Sequence, residues 1–271
     1  MKLAALTCLI GAAVLAQPRE PLYEPDSQQR AQILESIRQY ANNYTQNLPN
    51  FICTQVTQRQ QDETSTGKHF KSVDRLQEQL TYFEHEATYK LLAVNGVMVS
   101  NRDRLNMGGA MTQGEFGSMM REIFAPSAAA EFEWIKFGKI GGKIMNVFSY
   151  RIPQERSHYS IMYNNERRIF SGYHGTIEAN KETNAIMRIT LECDSIPGDY
   201  PVQDVSQDLW YGVVKIADRE YVLPDRWDSH SRTQNRLDWN KAEFKAYRKY
   251  ETGATITFEE EAPAKPPVKK P

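Results

Sequence analysis

The chain has 271 residues, with 33 Lys and Arg against 34 Asp and Glu, for a net charge of −1. That balance lacks the basic footprint that nucleic-acid binding needs. The length suffices for one large all-β domain or two small ones.

The first elements concern export. Lys2 supplies a short positive region, Leu3 to Leu15 carries no charge, and Val14-Leu15-Ala16 precedes the polar Gln17-Pro18-Arg19-Glu20. This is the pattern of a signal peptide over residues 1–16, cleaved between Ala16 and Gln17. The apolar run falls short of the roughly 20 residues a membrane-spanning helix needs. Cys8 lies too early in the run to be a lipidation site. Cleavage takes 16 residues from 271 and leaves 255, and the loss of Lys2 leaves 32 basic against 34 acidic residues, net −2. Further on, the longest apolar stretches, such as Leu91-Leu92-Ala93-Val94, are strand-sized. The mature chain is therefore expected to be soluble, periplasmic or secreted, with no transmembrane segment. Two cysteines remain in it, Cys53 and Cys193. In an oxidising compartment they are either a disulfide worth about 4–5 kcal/mol by chain entropy or two separate thiols.

Residues 17–26 are Pro-rich and charged, a flexible leader. Asp26 with Gln29 three residues later is a capping-box signature. Ile33, Leu34, Ile37, Tyr40, Ala41 and Tyr44 then recur at helical spacing, which predicts a helix over 27–46, stopped by Pro49. Phe51 opens a strand running to Arg59. Strands are predicted over 73–82 and 87–94, followed by the Asn95-Gly96 turn. Residues 101–112 read as loop. A second helix is predicted over 113–124, with Phe116, Met119, Met120 and Ile123 at i, i+3, i+4, i+7. Then come strands over 131–138, 143–152, 157–163, 168–179, 185–194, 203–217, 220–232, 239–250 and 254–260, separated by turn residues such as Gly141-Gly142 and Asn164-Asn165. Residues 261–271 form a disordered Lys/Pro tail. Consecutive strands with short turns imply an antiparallel meander. So many strands twist out of plane, so the sheet either folds into a sandwich or curves around something.

Catalytic chemistry has no foothold in this sequence. It contains no Gly-x-Ser-x-Gly elbow, zincin motif, P-loop or dinucleotide fingerprint. The histidines at 69, 85, 158, 174 and 230 are scattered, so neither a metal nor a cofactor is expected. Glu178, Glu182 and Asp194 are close in sequence and read as a charged hairpin tip. The Met-bearing helix is open to two readings: a plug of core, or an adaptable lid over an apolar cavity.

Several segments resemble the LolA/LolB-like lipoprotein-localisation-factor superfamily. They are the run from Gly175 to Ile189 (GTIEANKETNAIMRI), Trp210 to Ile216 (WYGVVKI), Glu220 to Pro224 (EYVLP) and Phe244 to Tyr250 (FKAYRKY). Leu48 to Val56 (LPNFICTQV) and Gly114 to Gly117 (GEFG) resemble secreted members of that kind. The resemblance implies a mainly β, α+β fold over residues 27–260: a long antiparallel sheet curved into a half-barrel, covered by two or so helices. It also implies a binding protein that holds an apolar ligand, the acyl chains of a lipid or lipoprotein, and is not an enzyme. The candidate cavity residues are Phe132 and Trp134, Phe148 and Tyr150, Ile161, Ile189, Val214 and Phe244, with Phe116, Met119, Met120 and Ile123 as lid. The alternative is an envelope sensor or assembly protein with a filled core, an envelope protein partner and no lipid cargo.

Overall fold

The structure, a computed structural model, describes residues 22–99, 117–164 and 167–250. The expected signal peptide with Cys8 and Ala16/Gln17, residues 101–112, Phe116, the strand expected over 254–260 and the expected Lys/Pro tail lie outside the described residues.

Helix α1 (Ser27–Asn43) starts on the expected capping box: Asp26 Oδ1 accepts from Gln29 N–H at 2.8 Å and Gln29 Oε1 accepts from Asp26 N–H at 2.9 Å. It buries Ile37 and Ala41. The α-helix ends at Asn43 and a 3-10 turn follows at Thr45–Asn47, because Pro49 forces Leu48 into extended backbone.

The strands are β1 (Phe51–Asp62), β2 (Lys71–Phe83), β3 (Glu86–Val94), β4 (Val97–Met98), β5 (Glu131–Ile140), β6 (Lys143–Ile152), β7 (Ser160–Tyr163), β8 (Arg167–Phe170), β9 (Gly172–Asn180), β10 (Ile186–Asp194), β11 (Val202–Ile216), β12 (Arg219–Thr233) and β13 (Arg236–Lys249). Eleven of them form one curved, open antiparallel sheet in the order β4-β3-β2-β1-β13-β12-β11-β10-β9-β6-β5. β7 and β8 make a separate hairpin. The curved alternative, not the sandwich, is the one adopted. Its bends sit at register shifts, among them Ile52/Thr54 in β1, where Ala246 opposite takes φ 54°, and Trp210/Tyr211 in β11. The expected strand over 168–179 is broken at Ser171, whose hydroxyl donates to the carbonyls of Gly172 and Asp194.

One cross-strand row traverses the concave face. It runs Val94, Leu76, Thr57, Ala242, Trp227, Leu209, Ile189, Ile177, Phe148 and Trp134 from β3 to β5. Helix α2 (Ser118–Phe124) packs over the β5 and β6 end, with Phe124 stacked on Phe132 at 5.1 Å. Its start fits tightly against the end of α1. Gly117 has φ 100°, and a Cβ there would lie 2.6 Å from Thr45. The main core fills the space between this face and the two helices. A smaller core of Ile161, Tyr200, Val202 and Val205 lies under the β7–β8 hairpin.

Candidate functional site

The structure brings most of the expected cavity residues together, but as packed core. Phe148, Tyr150, Ile189 and Phe244 are buried, and Phe132, Trp134 and Val214 pack against them. Trp134 meets Phe148 edge-on at 5.3 Å, and the Tyr150 hydroxyl donates to the Thr190 carbonyl at 2.8 Å. Tyr150 covers Gly175, where a Cβ would lie 1.9 Å from that carbonyl oxygen. Ile161 is the exception. It belongs to the small core under the hairpin, because β7 leaves the main sheet. In α2, Met120 and Ile123 are fully buried and Met119 is partly so. The helix is tied down at Glu122, whose Oε1 accepts from His158 N–H at 3.1 Å.

Across the same concave face, β2, β1, β13 and β12 present a different chemistry. Gln55, Thr57, Arg59, Asp74, Glu78, Asn240 and Ser229 are all buried there. Arg59 grips Asp74 with two parallel hydrogen bonds, Nε to Oδ1 at 2.7 Å and Nη2 to Oδ2 at 2.5 Å.

The open space lies elsewhere. The ladder between β10 and β11 runs only from Arg188–Trp210 to Glu192–Ser206. Past the Trp210/Tyr211 shift, Tyr211–Ile216 pair with β12 alone among the described residues. On its other side, β12 pairs with β13 only from Arg226 onward. The tip of the β11–β12 hairpin is thus a two-stranded ribbon standing apart from both neighbours. Two side-chain hydroxyls hold it: Tyr44 donates to the Val222 carbonyl at 2.8 Å, and Tyr247 donates to the Pro224 carbonyl at 2.7 Å. Burial, with Tyr211, Tyr40 and Tyr82 nearby, keeps the Tyr44 phenol well above its ordinary pKa, so it stays a donor.

A cleft of about 570 Å³ occupies the gap between the ribbon and β10. The end of α1 contributes Tyr40 and Tyr44, the following turn Leu48, β10 Met187, and the ribbon Val213, Tyr221 and Val222. Polar groups ring this apolar floor: Gln39, Asn43 and Asn47 from one side, Lys143, Asn180 and Thr183 from another, and Glu220 from the ribbon. Val213 is 51% exposed on that floor. None of the eight expected cavity residues lines this cleft. A second cleft of about 450 Å³ lies on the far side of the ribbon, bounded by Pro49, Asn50, the turn from Ile216 to Arg219, Tyr221, Lys249 and Tyr250.

The proposed Cys53–Cys193 bridge is absent: neither thiol is disulfide-bonded. Cys53 is on β1 and Cys193 on β10, with β13, β12 and β11 between them. At about 4.8 Å per strand step, the two are far beyond the roughly 7 Å a disulfide allows between Cα atoms. Burial, added to by the Asp204 and Asp194 carboxylates and opposed by a hydrogen bond with Ser171, pushes the Cys193 thiol up to about 12. Among the described residues, no group of three or more His, Cys, Asp or Glu side chains is placed to hold a metal ion. No helix among them is long and apolar enough to cross a membrane.

No protein-family model matches the chain, and no curated protein matches it. Among solved structures it is similar to a LolA superfamily protein from Nitrosomonas europaea, at 9% identity over 80% of this chain and 94% of that one, with a TM-score of 0.36. The chain is also similar to a structure described as an outer membrane lipoprotein-sorting protein domain from Vibrio parahaemolyticus (11% identity, 81% and 92% covered, TM-score 0.38). The third is a DUF1329 family protein from Desulfovibrio piger (7% identity, 82% and 94% covered, TM-score 0.37). The likeness includes LolA-superfamily and lipoprotein-sorting structures, over most of the chain. At these identities and scores it transfers no residue role and no ligand.

Proposed function

We propose that the protein is an exported, periplasmic or secreted binding protein that takes the acyl chain of a lipid or lipoprotein, and that the chain lies in the cleft between α1, β10 and the β11–β12 ribbon. The observation that carries this reading is the cleft itself. Its volume of about 570 Å³ lies within the range of small-molecule sites, and its floor of Tyr, Leu, Met and Val side chains is ringed by amides and two opposite charges. An apolar chain with a polar end matches that arrangement. The sequence resemblance to the LolA/LolB-like superfamily supports the same class of ligand. The site differs from the one first expected: the space between the sheet and α2 is occupied by Phe148, Tyr150, Met120 and Phe124.

The test is native mass spectrometry of protein purified from its own periplasm, together with titration of a fluorescent fatty acid. A co-purified lipid and saturable binding are expected. Val213→Asp places a charge on the exposed floor and is expected to weaken binding about tenfold or more. Unchanged binding in that variant would move the ligand back beneath α2. The absence of both co-purified lipid and fatty-acid binding would sink the reading.

A second reading, an envelope sensor or assembly protein without lipid cargo, draws on the filled concave core and on the β7–β8 hairpin. Ser160, Met162, Arg168 and Phe170 share one face of that hairpin, and Met162 and Phe170 are exposed on it. Recovery of a defined envelope protein in a pull-down, with no lipid, would favour it.

A further inference from the structure

The two clefts beside the ribbon share one wall. Among the described residues, Tyr221 alone lines both. The chain also passes from the first cleft to the second between Leu48, which lines the one, and Pro49, which lines the other. The Tyr221 backbone is held: Val222 next to it and Pro224 two residues beyond that accept the Tyr44 and Tyr247 hydroxyls. Its cross-strand neighbour Val214 packs on the main core, as Tyr221 itself does. Tyr221 thus offers a bulky ring on a fixed backbone at the wall shared by clefts of about 570 and 450 Å³.

We propose that Tyr221 sets the length of acyl chain this protein accepts, by closing the inner end of the α1 cleft against the second cleft. This rests on the acyl-chain reading above. A chain entering at the rim of Lys143, Asn43 and Gln39 runs along Met187 and Val213 and ends on the Tyr221 ring. Removing the ring joins the two clefts into one groove, and each further methylene that becomes buried improves affinity by about a factor of four. Enlarging the ring shortens the space.

The experiment uses the full chain and a series of straight-chain saturated fatty acids of increasing length, each displacing a fluorescent fatty acid. The wild type is expected to show an optimum beyond which added carbons no longer improve affinity. Tyr221→Ala moves that optimum to longer chains, with a gain of about fourfold per methylene over the next few carbons. Tyr221→Trp moves it to shorter ones. The Trp variant keeps an aromatic ring on the ribbon, so it decides the question if the Ala variant fails to fold. Two folded variants that keep the wild-type optimum would overturn the partition and leave acyl-chain binding standing. A wild type that binds no fatty acid of any length would overturn the binding reading and this inference with it.

Discussion

The concave face of the sheet has two halves of different composition. From β11 to β5 it is apolar and lies against α2, with Leu209, Ile189, Ile177 and Phe148 in one row. From β12 to β2 the apolar core continues through Trp227, Ala242, Phe51 and Leu80, but the neighbouring row is polar and still buried: Ser229, Asn240, Arg59 and Asp74. The first half is stabilised by removing apolar area from water. The second carries the desolvation cost of an ion pair, which mutual attraction and good geometry only roughly offset. The Gln55 Oε1 and Trp227 Nε1 atoms are buried there without a hydrogen-bond partner among the described residues, which adds to that cost. The difference teaches that burial alone does not mark the core of this protein. Apolar packing runs through both halves, and one of them also keeps polar rows whose groups must satisfy one another.

Substitutions can break that contrast. The largest expected effect is in the apolar half: Phe148→Ala leaves a cavity under α2 and should cost about 3–5 kcal/mol in urea unfolding. In the polar half, Asp74→Ala removes the two-bond carboxylate partner of the buried Arg59 guanidinium and should cost about 3 kcal/mol. The double replacement Arg59→Met with Asp74→Leu should recover most of that loss. If the double variant stays as unstable as the single one, the polar half is a stabilising element in its own right and the contrast fails. A smaller effect is expected where the ribbon joins neither half. Tyr44→Phe and Tyr247→Phe each remove one hydrogen bond to the ribbon and should cost about 1 kcal/mol. Amide exchange should accelerate in residues 211–225 and not in β1. The smallest effect concerns the thiols. With no bridge between the halves, a reducing agent should shift stability by less than about 0.5 kcal/mol. In the native protein Cys193 should alkylate slowly at neutral pH, since its raised pKa leaves almost no thiolate.

Much of the apolar half could be read from the sequence, and little of the polar half could. Period-2 alternation places Phe148, Tyr150 and Ile152 on one face because Ser149 and Arg151 between them are polar, and all three are buried. In β1 both faces are polar, so hydrophobicity offers no phase. The structure turns Gln55, Thr57 and Arg59 inward, with their alternating neighbour Val56 on the other face. The cleft escaped the sequence for a different reason. It exists because β11 stops pairing with β10 beyond Trp210, where its pairing with β12 also shifts register, and the alternation within a strand does not tell where its partner lets go. Val214, expected in the cavity, packs on the core, while Val213 faces the cleft. The hydrogen bonds that hold the ribbon, from Tyr44 and Tyr247, join residues far apart in the chain, and nothing local announces them.

The pairing of β1 with β13 has a consequence for how the molecule assembles. Phe51 lies opposite Lys249, at the seam between the fourth and fifth strands of the sheet. On one side of that seam, β1 to β4 are joined by successive hairpins. On the other, β5 to β13 pair in chain order apart from the β7–β8 excursion. Each side can zip from local contacts, but the seam must wait for nearly the whole described chain and carries the largest loop-closure entropy. Folding is therefore expected to be slow and to end with two preformed wings docking along β1 and β13. A nascent chain lacking β13 would expose two long unpaired edges, the geometry most prone to pairing with another copy.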